Sequence, residues 1–275
     1  MLHQDRISLT DNSESEWLNY WESARSHRQK VTSILLNSGG GKSLCVWGAG
    51  SCHDISLSQL LEHCKEVTLV DLNAQHLQEG VEFQNCVGHP RLKIAAPLDL
   101  VGFPEQTEMD SSKTSSDAAR SLVRSVQAYH PQDLSHYDVV ASTGLLSQIV
   151  IQTLELLGTA HPKIHDVLIA VRRSHLHQML YHLNPGGVGL LITDFMESDC
   201  VPELTTTKDL DATIERELDK QGDRVFGLAP NYIHRDLLLF KPLANRVTKV
   251  STSGYWRWQM TQRTYACYAV MFRAT

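Results

Sequence analysis

The stretch Val46-Trp47-Gly48-Ala49-Gly50-Ser51-Cys52-His53-Asp54 constrains this chain more than any other. The short apolar run Ser43 to Trp47 is of the kind that a parallel sheet buries on both faces. A G-x-G turn then leads into an amphipathic helix from about Asp54 to Cys64. Its glycines let the backbone turn tightly and come close to a ligand. A second apolar run, Val67 to Val70, ends at Asp71, 21 residues after Gly50. An acid there is placed to accept hydrogen bonds from two ribose hydroxyls. The plainer alternative is a cap on the helix that starts near Asn73. The Gly turn at the right distance upstream favours ribose binding.

The rest of the chain keeps the same rhythm. Leu92 to Ala96 reads as a third strand ending near Asp99, Tyr137 to Ala141 as a fourth and Val188 to Thr193 as a fifth. Helices are predicted between them, at Asn73–Cys86, Ala118–Tyr129, Leu145–Leu157 and Ile164–Leu183, with Asn184-Pro185-Gly186-Gly187 as a turn. Gly102 to Asp117 is polar and reads as a loop or insert. Alternating strands and helices indicate a parallel sheet covered on both faces. The tail breaks the pattern: helices are predicted at Glu203–Asp219 and Ile233–Leu243, then two strands, Tyr255–Met260 and Thr264–Phe272, joined by three residues. So tight a connection forces antiparallel pairing, so the sheet should end on a reversed strand. Upstream, Ser13 and Glu16 have capping-box spacing. They precede a helix over Glu14–Asn37 with at most one break, closed by Ser38-Gly39-Gly40-Gly41; the first dozen residues read as frayed.

Composition narrows the function classes. At 275 residues, 42% apolar and 20% charged, the chain can bury a full core without staples. A net charge of −6 argues against a broad nucleic-acid footprint, although a local basic groove stays compatible with it. No apolar run approaches the length of a membrane span, and the N-terminus has no apolar signal core. Six cysteines (45, 52, 64, 86, 200, 267) without a CxxC pair suit free thiols in a reducing cytosol, so a cytoplasmic protein is expected.

Two cofactor classes use a strand–Gly turn–helix with an acid on the next strand: dinucleotides and S-adenosylmethionine. The dinucleotide fingerprint wants a third glycine where this chain has His53. S-adenosylmethionine has no pyrophosphate and can do without it. The acid of Leu98-Asp99-Leu100 can accept from an adenine amino group. With GAG at 48–50, VTLVDLN at 67–73, LDL at 98–100, YDVVAST at 137–143 and LNPGGVGLLITD at 183–194, the chain resembles the class I S-adenosylmethionine-dependent methyltransferases. The resemblance covers about Lys42 to Asp194. It implies an α/β, Rossmann-like seven-stranded sheet, mostly parallel with an antiparallel last strand and helices on both faces. Residues 1–40 would be an N-terminal helical extension. Residues 41–275 would form the cofactor-binding domain, with 194–250 as a substrate-side insert or lid.

The resemblance also assigns roles. Gly48, Ala49 and Gly50 would hold the methionine moiety of S-adenosyl-L-methionine. Asp71 and Leu72 would hold the ribose, Asp99 and Leu100 would face the adenine, and Ser142 and Thr143 would border the methyl group. Val46 stands where the family often has an acid two residues before the first glycine. Asp54 either replaces that polarity or is the N-cap of the next helix. Amino-methylating enzymes of nucleic acids often carry an Asn/Asp-Pro-Pro-aromatic tetrad after the fourth strand. Here Ser142-Thr143-Gly144-Leu145 stands instead, which disfavours methylation of a base amino group. Gln148 either points into the cleft or is a solvated or capping side chain.

The acceptor should be framed by the segments after strands four and five and by the N-terminal helix. Candidates are Trp17, Tyr20, Trp21, Tyr232 and His234, against the alternative that the aromatics are core. His53, His136 and His234 are candidate bases; no catalytic residue is assigned. Fourteen histidines invite a metal, but His175-x-His177 has the wrong helical spacing, and His161 and His165 have no third ligand, so none is expected. Arg172-Arg173 reads as a solvated helix face. The expected function is methyl transfer to a small-molecule acceptor. An RNA or protein methyltransferase, a non-catalytic cofactor-binding or scaffold protein, and transfer of the aminocarboxypropyl group are the alternatives. Oligomeric state is not legible in the sequence.

Overall fold

A computed structural model describes residues 14–103, 115–131, 134–221, 226–260 and 262–275. Ser13 of the capping box, the expected frayed terminus and most of the polar stretch after Gly102 lie outside them. Helices α1 (Glu14–Ser23) and α2 (Arg25–Gly39) come first, with one break at Ala24. Then come β1 (Ser43–Trp47), α3 (Leu57–His63), β2 (Glu66–Val70), α4 (Ala74–Phe83), β3 (Leu92–Ala95), α5 (Ser115–Ala128) and β4 (Tyr137–Thr143). They are followed by α6 (Leu145–Leu157), α7 (Ile164–Tyr181) and β5 (Leu183–Glu197). The tail holds a single 3-10 turn (Pro202–Thr205), α8 (Leu210–Gln221), α9 (Pro230–Leu239), α10 (Lys241–Ala244), β6 (Val247–Thr252), β7 (Trp256–Met260) and β8 (Arg263–Ala274).

The sheet order is β3-β2-β1-β4-β5-β8-β6, with β7 also on β8. Strands β1 to β5 are mutually parallel, and β8 runs antiparallel to β5 as the short connection demands. Along its other edge β8 pairs first with β7, at Arg263 to Cys267, and then with β6, at Val270 to Ala274. The two short strands therefore share one sheet position, interrupted at Ser253 to Tyr255. The expected seven-stranded sheet is a sheet of seven positions carrying eight strands.

Side chains alternate across the sheet with period two, and the two faces meet different helices. In β1, Leu44 and Val46 join Val31, Leu35, Leu57, Leu60 and Leu77 of α2, α3 and α4. Cys45 and Trp47 face the opposite layer, with Leu146, Leu168, Leu176 and Met179 of α6 and α7. Both layers are almost dry, and each fully buried Leu or Val contributes on the order of 1.5–3 kcal/mol. Leu204, Ile214, Leu228, Ile233, Leu237 and Leu243 of the tail belong to the second layer.

The structure departs from the sequence reading in five elements. The helix expected over Glu203–Asp219 is a single 3-10 turn at Pro202–Thr205 followed by α8 from Leu210. Helix α3 starts at Leu57 with Ser56 at its N-cap, so Asp54 does not cap it. Strand β5 begins at Leu183 and takes in the expected Pro-Gly-Gly turn as a bulged start opposite Tyr137. The helix expected over Ile233–Leu243 splits at Phe240, which is extended; Pro242 sits in the first turn of α10, where its missing N–H is no loss. Strand β6 was not foreseen, because none of its residues is buried and it lacks an apolar alternation.

Candidate functional site

The Gly turn is built by hydrogen bonds from the end of β2. Gly48 and Ala49 N–H both donate to Val70 O, at 3.0 and 3.2 Å. Gly50 N–H donates to Asp71 Oδ2 at 2.7 Å, and Asn73 N–H to Asp71 Oδ1 at 2.8 Å. The cap of α4 is Asn73, whose side chain accepts from His76 N–H at 3.0 Å, so the capping alternative for Asp71 falls. Gly48 has φ +70°, and a Cβ there would lie 2.8 Å from Leu145 Cβ. Gly50, at φ +49°, has open space where its Cβ would be. The close approach that a third glycine supplies in dinucleotide folds is supplied here from α4: a Cβ on Gly80 would lie 2.2 Å from Ser51 O.

Leu72 is 64% exposed beside Asp71. Asp71 O accepts from Leu98 N–H at 2.9 Å, which brings the segment after β3 alongside. There the Asp99 carboxylate accepts from Val101 N–H at 2.7 Å and Gly102 N–H at 3.0 Å. Leu100 is 4% exposed and belongs to the core, so it presents no open face to a ligand. Ser142 is also withdrawn: it is fully buried on the α7 side, where its hydroxyl pairs with His175 Nε2 at 2.8 Å. Thr143 does reach the site, its hydroxyl donating to Trp47 O at 3.3 Å and Gly48 O at 3.4 Å.

Beside the turn lies a small cleft of about 10 Å³, room for about one water, lined by His27, Asp54, Thr143, Asp194, Trp258 and their neighbours. Asp54 turns into it, and its carboxyl is pushed up to about 7, first by burial and then by Asp194, against the Arg28 guanidinium. Asp194, at the C-terminal part of β5, accepts from Ser147 Oγ at 2.6 Å; burial raises its carboxyl too. His27 accepts from Trp256 Nε1–H at Nδ1 (3.0 Å) and stacks on Trp258 with centroids 4.6 Å apart. Burial and Arg28 lower its imidazole to about 3, so it is neutral, with its proton on Nε2. That nitrogen stands 3.7 Å from Asp54 Oδ1. The buried Tyr20 phenol is held well above its usual range by burial, then by the charges of Asp54, Tyr265 and Asp194.

The other sequence candidates lie elsewhere. Trp17 and Tyr20 pack on His53 with ring centroids 4.5 Å away, and Trp21 meets Phe83 edge-on at 5.2 Å. His53 is thus caged by α1, away from the lining of the cleft, and burial lowers it to about 4. His136 lies near Tyr181 and His182, beside the N-terminal end of β4 and so opposite the Gly turn. His234 pairs with Thr252 between α9 and β6, and the Tyr232 ring lies beneath Arg172 at 5.7 Å. Gln148 is exposed; its neighbour Ser147 turns inward instead. Arg172 and Arg173 are no solvated face: both bind the buried Asp236, at 2.6 and 2.8 Å. Among the described residues no group of three His, Cys, Asp or Glu could hold a metal ion. The sequence reading did not single out Asp194, His27, Ser147 or Trp258 as site residues. Asp194 carried a signal, as the acid closing the fifth strand; the others are set by contacts remote in sequence.

No protein-family model matches the sequence, and no curated protein matches it. Among solved structures, the N-methyltransferase NodS from Bradyrhizobium japonicum WM9 is 13% identical, with a TM-score of 0.47 over 92% of this chain and 97% of that one. Magnesium protoporphyrin IX methyltransferase (ChlM) from Synechocystis PCC 6803, with bound SAH, is 12% identical, with a TM-score of 0.47 over 98% and 92%. A putative RNA methyltransferase, PH1948 from Pyrococcus horikoshii, is 12% identical, with a TM-score of 0.40 over 92% and 83%. The strand order, with β8 reversed between β5 and the β6/β7 edge, makes a Rossmann-like α/β sheet, mostly parallel with one antiparallel strand next to β5. No described helix is long and apolar enough to cross a membrane.

Proposed function

We propose that this protein binds S-adenosyl-L-methionine and transfers its methyl group to a small-molecule acceptor. The observation that carries the reading is the Gly turn fastened to Asp71 by Gly50 N–H and opening beside the Asp54–Asp194 cleft. Three features fit the cofactor. The open space at Gly50 lets a ligand approach the backbone. Each Asp71 oxygen accepts one backbone N–H and keeps a second lone pair for a ribose hydroxyl. Exposed Leu72 offers an apolar floor next to that acid. Asp54 supplies, from the far side of the turn, the carboxylate that Val46 does not. It would pair with the ammonium of the methionine moiety.

The bound cofactor supplies a methyl group already activated on a sulfonium. The protein's work is therefore to position the acceptor and exclude water. The net charge of −6 supports a small acceptor over RNA. Calorimetric titration of wild type and Asp71→Ala with S-adenosylmethionine, S-adenosylhomocysteine and NAD tests the reading. Wild type should bind the first two with about micromolar Kd, and the variant at least about tenfold more weakly, a loss of about 1.4 kcal/mol. NAD should not compete. A folded wild type that binds neither sulfur compound would overturn the proposal.

A further inference from the structure

Helix α7 carries Val171, Ser174, His175 and Gln178 at the three- and four-residue spacing that aligns side chains on one helix face. All four line a cavity of about 10 Å³, room for about one water, between α5, α6 and the segment Leu100-Val101. Two of them hold a buried polar atom without a hydrogen bond inside the protein: Nδ1 of His175 and Oε1 of Gln178. The residues are 3% and 2% exposed, so bulk solvent does not serve these atoms. Native proteins pair or hydrate polar atoms at that depth. Neither group can be turned over to satisfy itself. Gln178 Nε2 donates to Tyr129 O at 3.2 Å, and a flipped amide would set oxygen against that carbonyl. His175 Nε2 pairs with Ser142 Oγ at 2.8 Å, a contact that a flipped ring would lose. Burial lowers the imidazole to about 4, so near pH 7 the ring is neutral, with one nitrogen donating and the other accepting.

The cavity adjoins the segment that carries Asp99. Tyr129 Oη–H donates to Asp99 O and Ser125 Oγ–H to Gly102 O, both at 2.7 Å. Gly102 lies directly on the tyrosine: its φ is +71°, and a Cβ there would stand 2.2 Å from Tyr129 Cγ. One set of polar contacts thus runs from Asp99 through Tyr129 to Gln178, and another from Ser142, at the end of β4, to His175. We propose that the cavity between them is a binding site for a single water, which donates to Gln178 Oε1, bonds to His175 Nδ1 and so joins the segment after β3 to the end of β4. Water suits both atoms. One O–H serves the amide oxygen, and the molecule either donates to Nδ1 or accepts from it, whichever tautomer the Ser142 contact selects. Ser174 Oγ, which donates to Val126 O, keeps a lone pair for a third bond. An anion would repel the amide oxygen. Resting on the methyltransferase reading, His175 and Gln178 are then positioning residues: through Tyr129 they fix the Asp99 segment against the adenine of the cofactor.

A high-resolution crystal structure of the whole chain tests the site. One ordered water should lie within about 3.2 Å of both His175 Nδ1 and Gln178 Oε1. A cavity without ordered density, or either atom bonded to a protein group instead, would overturn the site. The positioning role is read by calorimetry with S-adenosylhomocysteine and S-inosylhomocysteine, which has oxygen in place of the adenine amino group. Wild type should prefer the adenine compound at least about fivefold, and Gln178→Met should cut that ratio to below about twofold. Tyr129→Phe removes only the hydroxyl on Asp99 O and should lower the ratio as well, a second reading that does not depend on Gln178→Met folding. Ratios unchanged in the folded variants, or a wild type that binds both compounds alike, would overturn the positioning role. A wild type that binds neither would overturn the methyltransferase reading and the positioning role with it, while the crystal structure decides the water site on its own.

Discussion

The two glycines of the turn do different jobs, and alanine separates them. At Gly48 an added Cβ meets Leu145 Cβ at 2.8 Å and Thr143 O at 3.1 Å, on a backbone with φ +70°. Left-handed backbone costs a non-glycine residue about 1–2 kcal/mol, and the overlap adds to it. Gly48→Ala should therefore lower the midpoint of urea unfolding clearly. At Gly50 the φ of +49° is also left-handed, but the space beside it is open. Gly50→Ala should lose about 1 kcal/mol of stability. Its larger effect should be on S-adenosylhomocysteine affinity, weakened at least about tenfold, because the new methyl group occupies the approach to the backbone. The contrast was not visible in the letters GAG. It depends on Leu145 standing against one glycine and nothing standing against the other.

Single elements are held in register by buried polar contacts that residue types alone do not announce. Helix α9 is tied to α7 by one carboxylate: Asp236 is 1% exposed and binds both Arg172 and Arg173. Arg172 also donates to Gly227 O at 2.9 Å, fastening the start of that segment. Asp236→Ala would leave the buried guanidinium of Arg172 without its counter-ion, which costs about 3–5 kcal/mol. Chemical denaturation should show that loss. Two adjacent arginines on a helix look like a solvated face in sequence, and the acid that buries them lies over sixty residues away. Strand β6 was hidden for a different reason. At the sheet edge none of its residues is buried, so it has no hydrophobic period to read. Strands β1, β2 and β4, at the centre of the sheet, were legible because both their faces are covered.

At the scale of the molecule, burial of ionisable groups sets the response to acid. His27, His53, His175, His177, His182 and His234 are all lowered in the folded state, with burial the first cause each time. Below the unfolded imidazole value of about 6.5 the unfolded chain binds protons that the folded chain refuses, so stability falls as pH falls. Asp54, Asp194 and Glu197 are raised and act with the opposite sign. The folded protein keeps their protons where the unfolded chain has lost them, so their contribution declines as pH rises toward 7. The histidines outnumber the acids. The urea midpoint should therefore fall between pH 6.5 and pH 5, with net proton uptake on unfolding. His27→Gln removes one of the opposing imidazoles and should make that fall shallower, measured as the difference in midpoint between the two pH values.

The sequence by itself determined the alternation of strands and helices, the reversed last strand, the Gly turn and the acid at the end of β2. Each of these is written in local patterns: apolar runs of strand length, glycines where the backbone bends, and a connection too short for a crossover. Only the tertiary structure decided which polar groups face the cleft. Ser142 and Thr143 are adjacent in β4, yet one is buried against His175 and the other bonds to the Gly turn, because successive side chains in a strand point to opposite faces. Asp54, read as a cap or a substitute acid, became a cleft carboxylate because α3 starts three residues later. His27, Asp194 and Trp258 are separated by more than sixty residues at each step and meet only when α2, β5 and β7 pack together. Local sequence sets the conformation of each element. The side chains that share a cavity are chosen by packing between elements, a long-range outcome that no local pattern records.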